Sequence, residues 1–418
     1  MRILLLTQVV PHPPDSGPKI KTYNVLRYLA ERHEVHLVSF VRSATEESSA
    51  QALRSLCSDV TTVPIRRSKV RDVGYLLRSL VTGRPFLIER DDSGAMREAI
   101  RRVLDLRAFD AVHADQLSMG QFAVDLPLPL RVLDEHNAVW TIVRRQAGHL
   151  GRGPQRVVAE LEWRKLRAYE AQICRRFDLV TVVSTEDYLA LAESARAIFP
   201  TKVIPIAVDT EEMAFAPRTE EARDVVSVAT MFYPPNVEGV YWFATEVFPL
   251  VRCEVGDVRF RIVGSRPPAK IAGLTGPDSG VIVTGYVADL DPIFRQSALT
   301  VVPVHSGSGM RVKILEAFAR GIPVVSTTIG VEGIEARAGE HLLVADDPAE
   351  FARAVIRVLR DRDEGARLAK AGRQLVETRY DWRSTLSGLD DVYRCRDPWE
   401  ADPPAPIGLN FPGLQPLD

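Results

Sequence analysis

The chain has 418 residues, of which 46% are hydrophobic and 26% are charged, and its formal net charge is −2 at pH 7. This length predicts two domains of about 200 residues each, and the composition is typical of a folded globular protein rather than a disordered one. Residues 1–200 carry 29 Lys and Arg against 24 Asp and Glu, and the remainder carries 24 against 31. This asymmetry favours an anionic partner for the first half. We expect no nucleic-acid partner.

Cysteine use and the N-terminus indicate a cytoplasmic protein. The cysteines lie far apart, without metal-type spacing, at Cys57, Cys174, Cys253 and Cys395. Such thiols are typical of a reducing compartment. The apolar run at the N-terminus ends before Pro11, too soon for a signal peptide, and no run of 18 apolar residues predicts a membrane span.

The first 205 residues alternate between strand-like and helical segments. Ile3 to Leu6 form a buried strand, a glycine-bearing loop leads to Ser16-Gly17, and a helix precedes a second strand at 35–40. Further strand-like segments lie at 59–63, 110–113, 131–134 and 179–183. This alternation predicts a doubly wound domain over 1–205, with a parallel sheet covered on both faces.

Titratable residues follow one of these strands. Asp134-Glu135-His136-Asn137 comes directly after Arg131 to Leu133, and His113 and Asp115 follow the preceding strand. Ligands of doubly wound sheets bind at the carboxyl ends of the strands. His136, with three polar neighbours, is therefore the strongest candidate for a functional residue in this domain.

Two stretches of the first domain combine basic and apolar residues. Residues 64–107 hold 11 Lys and Arg against 6 Asp and Glu. The predicted helix at 154–177 has an apolar side opposite a basic one; the apolar side holds Val158, Leu161, Leu166, Tyr169, Ile173 and Phe177. Such a pattern is typical either of attachment to an anionic bilayer or of the solvated face of a packed helix, and both interpretations stay open.

A second doubly wound domain is predicted over 206–380. Its first strand begins at Val225, and the loop after that strand ends at Asn236. Two helices are predicted at 348–361 and 363–377. A final helix at about 381–395 is expected to pack back on the first domain. The Pro-rich tail at 397–418 predicts disorder.

Residues 300–328 form a strand, loop, helix and strand in succession. The loop Ser306-Gly307-Ser308-Gly309 opens a helix predicted from Met310 to Arg320. A glycine loop at a helix N-terminus presents unpaired N–H groups beside the positive end of the helix dipole, which favours an anion. Arg311 and Lys313 add two cations there, and Glu316 could accept bonds from sugar hydroxyls.

This unit resembles the nucleotide-sugar signature of retaining glycosyltransferases of family 4, which have the GT-B fold. Leu315-Glu316-Ala317 and Gly321-Ile322-Pro323-Val324-Val325 carry the resemblance. It implies two doubly wound Rossmann-like domains facing a central cleft, with Glu316 on the ribose of the donor. The family pattern has a second glutamate eight positions earlier, where this chain has Ser308.

The resemblance implies further donor contacts. The pair Ser16-Gly17 matches a small-Gly pair near the donor diphosphate, Tyr286 and Val287 match a segment that lines the base pocket, and His136 matches a histidine facing the donor sugar. Many relatives carry an Arg and a Lys in the loop that ends at Asn236.

This chain lacks that pair, so we expect Arg311 and Lys313 to supply the positive charge, with Asn236 as a hydrogen-bonding substitute. The N–H groups of Gly309 and Met310 would assist them. No Asp-x-Asp suggests a metal site, and we expect neither a metal nor a cofactor beyond the nucleoside-diphosphate sugar.

The sequence therefore predicts a retaining transferase that moves a sugar from a nucleoside-diphosphate donor to a glycan or polyprenyl-linked acceptor, in cell-surface or exopolysaccharide synthesis. We expect it in the cytoplasm, with the inner face of the cell membrane as a candidate place of attachment. Two alternatives stay open: a sugar-nucleotide epimerase of the same fold, and a non-catalytic nucleotide-sugar-binding protein.

Overall fold

The computed structural model describes residues 1–215, 219, 221–307 and 309–394, and it divides into two compact units. Within the described residues, the first comprises Met1–Pro205 together with Leu386–Arg394, and the second comprises Ile206–Thr385. The segment predicted to return to the first domain begins at about 381, whereas in the structure residues 381–385 belong to the second unit. The predicted disordered tail at 397–418 lies outside the described residues.

The first unit is built on a seven-stranded parallel sheet with the strand order β3-β2-β1-β4-β5-β6-β7. The strands are β1 (Arg2–Thr7), β2 (Glu34–Val41), β3 (Asp59–Pro64), β4 (Ala111–Asp115), β5 (Leu130–Glu135), β6 (Leu179–Val182) and β7 (Thr201–Val203). The helices are α1 (Gly17–Ala30), α2 (Ala44–Ala52), α3 (Lys69–Thr82), α4 (Phe86–Asp91), α5 (Gly94–Leu106), α6 (Leu117–Ala123), α7 (Val139–His149), α8 (Pro154–Cys174) and α9 (Thr185–Ala195).

The central strand of this sheet, β1, is flanked by other strands on both sides. Ile3 of β1 pairs with Val35 of β2 on one side and with Ala111 of β4 on the other, so β1 has no free edge. The four residues Ile3 to Leu6 are fully buried, as expected for parallel strands covered by helices on both faces. The strand order reverses between β1 and β4, and ligands of such sheets bind at the carboxyl ends of the strands beside that point.

The second unit has a six-stranded parallel sheet with the order β10-β9-β8-β11-β12-β13. The strands are β8 (Asp224–Val228), β9 (Phe260–Val263), β10 (Val281–Gly285), β11 (Ser297–Val302), β12 (Val324–Ser326) and β13 (Leu343–Val344). The helices are α10 (Pro234–Trp242), α11 (Phe248–Val255), α12 (Ala269–Ala272), α13 (Asp291–Gln296), α14 (Val312–Arg320), α15 (Thr328–Val331), α16 (Pro348–Arg360), α17 (Arg362–Arg379) and α18 (Trp382–Thr385).

The order of this second sheet reverses between β8 and β11, which pair directly. The loops that follow these two strands therefore meet at the edge where ligands of doubly wound sheets bind. Gly239 lets α10 approach the loop after β11 closely, because a β-carbon there would lie 2.0 Å from the carbonyl oxygen of Pro303. This close packing fixes α10 against the loop.

The last described helix, α19 (Gly388–Arg394), belongs to the first unit. Its Tyr393 lies stacked on His113, with a hydrogen bond of 2.7 Å between the phenol oxygen and Nδ1. Lys202 of β7 forms a salt bridge of 3.0 Å with Asp391. None of the helices in the described part of the chain is both long and apolar enough to cross a bilayer.

Candidate active site

The loop between β11 and α14 has backbone dihedral angles that favour glycine. Gly307 has a φ of +107° and Gly309 a φ of +79°, both in the left-handed region that favours residues without a β-carbon. Arg311 stands at the N-cap of α14, and its Nη1 donates a hydrogen bond to the carbonyl of Gly309. The predicted helix began at Met310, so the structure corrects Arg311 from the first turn to the residue before it. Ser308 lies outside the described residues.

The Arg311 guanidinium and the Tyr233 phenol both lie over Gly307. A β-carbon at Gly307 would stand 3.0 Å from Arg311 Nη2 and 3.3 Å from the Tyr233 oxygen. Tyr233 comes from the loop after β8, so the two loops converge as the strand order requires. Burial raises the pKa of Tyr233, and the neighbouring Arg311 opposes that change. Tyr233 therefore stays a neutral hydroxyl beside a cation.

Lys313 is held in place by Asn236. Lys313 Nζ donates to Asn236 Oδ1 over 2.8 Å, and the Asn236 amide donates to the carbonyl of Thr230 over 3.0 Å. Burial lowers the pKa of Lys313 to about 7, and Arg311 acts in the same direction. The structure thus brings together three sequence-predicted residues, Asn236, Arg311 and Lys313, around one loop.

Met310 and Glu316 flank this cluster. The Met310 side chain is buried, and its sulfur accepts a hydrogen bond of 3.3 Å from the N–H of Ile206. Burial raises the pKa of Glu316, while Arg320 and Lys313 oppose the shift. Within the described residues the Glu316 carboxylate accepts no hydrogen bond, which leaves its oxygens available for a ligand hydroxyl.

Replacing Glu316 with glutamine is expected to weaken donor binding and turnover together, because the amide offers one acceptor oxygen where the carboxylate offers two. A loss on the order of tenfold is expected, since a hydrogen bond to a charged group contributes about 1.5–3 kcal/mol. Initial rates across a donor titration measure both effects, and Glu335→Gln, at an exposed glutamate of the same unit, serves as a control. Unchanged kinetics in the Glu316 variant would remove this residue from the site.

The predicted base-contacting residues lie at the edge of the sheet. Tyr286 and Val287 follow β10, which is separated from β11 by β9 and β8. Three strand spacings of about 4.8 Å put the two strands roughly 14 Å apart. Tyr286 is 63% exposed. The structure therefore does not bring these two residues next to the loop at Gly307, although all lie at carboxyl ends of the same sheet.

In the first unit, His136 is surrounded by carboxylates. It follows β5 and is almost fully buried. Its Nε2 lies 3.0 Å from Asp115 Oδ1 and 3.7 Å from Asp134 Oδ2. Burial and Lys21 lower the pKa of His136, but Asp115 and Asp134 outweigh them, so its pKa is raised. Its buried Nδ1 has no hydrogen-bond partner within the described residues.

Helix α1 anchors these carboxylates. Lys21 Nζ donates to Asp134 Oδ1, and Thr22 Oγ1 donates to Asp115 Oδ1 over 2.9 Å. The Asp134 pKa is held well below its usual range because Lys21 and the neighbouring imidazoles overcome the effect of burial. The helix begins at Gly17, directly after the N-cap Ser16, whose hydroxyl does not cap the helix. The structure thus joins the predicted Ser16-Gly17 turn and His136 through one helix.

The spacing of Asp115, Asp134 and His136 would also allow a metal ion, since one ligand atom from each lies within 4.8 Å of the others. However, Lys21 and Thr22 already donate to these two carboxylates, so the ammonium supplies the positive charge that a metal would bring. This arrangement fits a hydrogen-bonded network around a histidine better than a metal centre.

The sequence grouped Glu135 with Asp134 and His136, and the structure separates it from them. Successive residues of a strand point to opposite faces of the sheet. Both Glu135 oxygens are buried and, within the described residues, without a hydrogen-bond partner. Burial and the nearby Glu170 raise the pKa of Glu135 well above its usual range, so it is held as a neutral acid. Glu135 therefore takes no part in the His136 network.

Sequence reasoning missed two contributors. Tyr233 received no role, although it follows a strand end beside the glycine loop. Lys21 also received no role, because its fully buried position and its bond to Asp134 depend on the tertiary fold. The available signal was a lysine at the fifth position of a helix that begins at a ligand-type loop.

These two sites can be compared with known proteins. Residues 222–361 match the family model described as Glycosyl transferases group 1. An uncharacterised 44.6 kDa protein from the cps region of Klebsiella pneumoniae is 21% identical over 411 residues, covering 93% of this chain and 98% of the relative. A GDP-mannose-dependent alpha-(1-6)-phosphatidylinositol monomannoside mannosyltransferase of Mycobacterium tuberculosis is 27% identical over 278 residues, covering 59% and 71%.

Among solved structures, sucrose-phosphate synthase from Thermosynechococcus elongatus superposes with a TM-score of 0.69 at 18% identity, covering 94% of this chain and 98% of that one. This likeness shows that the two doubly wound units have the GT-B fold. The match to the group 1 glycosyltransferase model covers most of the second unit.

Proposed function

We propose that this enzyme transfers a sugar from a nucleoside-diphosphate donor to a hydroxyl of a glycan or lipid-linked acceptor, with retention of configuration, in the synthesis of a cell-surface polysaccharide. The observation that carries the proposal is the loop at Gly307–Arg311, where two cationic side chains and a helix N-terminus meet. The relative from a cps region supports a polysaccharide context. The mannosyltransferase relative supports a nucleotide-hexose donor.

The charge that develops in such a transfer lies on the departing diphosphate. Arg311 is fixed over Gly307, and Lys313 is fixed on Asn236, so both cations are placed before the reaction begins. Preorganised positive charge of this kind stabilises the transition state without reorganisation. The backbone N–H groups of Gly309 and Met310 add to it. This set replaces a metal ion in the proposed mechanism.

The remaining predicted residues take positions around the donor. Glu316 accepts the ribose hydroxyls, Tyr286 and Val287 contact the base, and Asn236 orients Lys313. In the first unit, Ser16, Gly17 and His136 stay candidate donor-binding residues. We propose a cytoplasmic enzyme that works on acceptors at the inner face of the membrane.

A thermal-shift panel of UDP, GDP, ADP and their sugars tests the proposal. A nucleotide that binds only the folded protein stabilises it by about 2.7 kcal/mol at a concentration a hundred times its dissociation constant. One base is expected to raise the melting temperature, and its sugar nucleotide is then incubated with and without lipid-linked glycan acceptors. The anomeric configuration of the product is read by NMR.

The two alternative functions, an epimerase and a non-catalytic binding protein, predict different results in these experiments. An epimerase would change the sugar of the nucleotide without any acceptor. A non-catalytic binding protein would be stabilised by one donor and would leave it unchanged with every acceptor. Absence of stabilisation by all of the nucleotides would contradict the proposed donor class itself.

A further inference from the structure

Helix α3 turns an apolar face toward solvent. Five large hydrophobic residues on it are exposed: Val70 (84%), Val73 (59%), Leu77 (60%), Leu80 (56%) and Val81 (88%). Their spacing of three and four positions puts them on one side of the helix. The opposite side, which packs on the protein, includes the fully buried Ser79. An ordinary surface helix packs its apolar side on the protein, whereas α3 exposes its apolar side to solvent.

Helix α8, which lies next to α3, also has exposed apolar residues. Lys165 of α8 donates to the Ser79 carbonyl over 3.0 Å and to its hydroxyl over 2.9 Å, so the two helices are neighbours. Leu161 (48% exposed) and Val158 (45% exposed) lie one and two helical turns from Lys165. Both belong to the apolar side of the helix predicted at 154–177, and this side becomes buried only from Leu166 onward.

Unpaired basic residues lie at one end of the apolar face. Residues 64–84 contain six Lys and Arg and a single acid, Asp72. Arg66, Lys69 and Arg71 are exposed at the N-terminal end of α3, and none of the three forms a salt bridge with a described residue. Exposed apolar surface next to unpaired cations matches the interface of a bilayer that carries anionic headgroups.

We propose that the face formed by α3 and the first half of α8 docks on an anionic lipid bilayer, with the α3 side chains from Val70 to Val81 inserted among the headgroups. The inference rests on the proposed lipid-linked acceptor, which such docking would bring within reach of the enzyme. A second copy of the chain fits this face less well, because a twofold interface would set the same cations against each other.

Vesicle co-sedimentation tests this surface with the full chain. Wild-type protein is expected to pellet with phosphatidylglycerol-containing vesicles and not with pure phosphatidylcholine, and less so as salt rises, since exposed charges are screened within about 10 Å at 0.1 M. Leu77→Glu/Val81→Glu and, separately, Arg66→Glu/Lys69→Glu should each reduce the bound fraction at least tenfold. Leu250→Glu, at a 43% exposed leucine of the second unit, serves as the matched control.

Other outcomes overturn the inference. Equal pelleting with neutral and anionic vesicles, or unchanged binding in both double variants, would exclude this face as the docking surface. A dimer in light scattering that Leu77→Glu/Val81→Glu converts to a monomer would assign the face to a second copy instead. Donor stabilisation is measured on the same samples: its presence without vesicle binding contradicts only the docking, and its absence contradicts the proposed transferase.

Discussion

Replacing Arg311 or Lys313 with alanine is expected to lower the turnover number about a hundredfold in each case. Losing one preorganised group that stabilises developing charge typically costs about 3 kcal/mol in the transition state. Arg311 is fixed over Gly307 and Lys313 is bonded to Asn236, so neither charge can be replaced by a mobile neighbour. Single-turnover rates at saturating donor measure the loss.

The double variant Arg311→Ala/Lys313→Ala tests whether the two side chains bind the same diphosphate. If both side chains bind the same diphosphate, the double change loses less than the sum of the two single losses, because the groups are coupled. Arg353→Ala, at an exposed arginine of α16, is the matched control and should leave turnover unchanged. Near-normal turnover in both single variants, with unchanged melting temperatures, would mean that the diphosphate is held by other groups.

Much of the fold follows from local sequence patterns. Buried runs such as Ile3 to Leu6, separated by helical segments, predict parallel strands, and the structure has thirteen of them in two sheets within its described residues. The glycine loop before α14 was also predictable, because Gly307 and Gly309 adopt a positive φ that other residues avoid. Because Asn236 follows β8 and His136 follows β5, the predicted strands also indicated that each residue lies at the carboxyl edge of its sheet.

The contacts that complete the sites were not predictable in this way. The bond between Lys21 and Asp134 joins residues more than a hundred positions apart, and no periodicity reports such a distance. Tyr233 and Arg311 meet because β8 and β11 are neighbours in the sheet, which depends on the strand order. Local patterns place residues on elements, whereas the sites arise from how these elements are ordered.

One local error has a physical cause. The sequence treated Asp134-Glu135-His136 as one polar group, but adjacent strand residues face opposite sides, which sends Glu135 into the interior. For α8 the sequence left open whether the helix attaches to a bilayer or is a packed helix with a solvated face, and in the structure Val158 and Leu161 on its apolar side are exposed. An apolar periodicity indicates a shared face of a helix without saying what covers that face.

The last prediction concerns the proton on Lys313. Burial and the nearby Arg311 lower the pKa of this lysine to about 7, far below its ordinary value. A diphosphate placed against Nζ favours the charged form, so donor binding takes up a proton at and above neutral pH. The affinity for the sugar nucleotide should therefore fall as pH rises, by about tenfold per unit once the pH exceeds about 7.

Calorimetric titrations of a sugar nucleotide from pH 6.5 to 8.5, in two buffers of different ionisation enthalpy, measure both the affinity and the proton uptake. Lys313→Met is expected to bind the sugar nucleotide more weakly and without this pH dependence. An equal slope in both proteins would assign the proton to another group.

The free energy of unfolding of the ligand-free protein should instead rise with pH. Between pH 7 and about 10 the unfolded chain keeps the proton that folded Lys313 releases, so Lys313 makes the free protein more stable as pH rises. Weaker donor binding together with a more stable free protein, over the same pH range, identifies a buried lysine that becomes charged when the diphosphate binds.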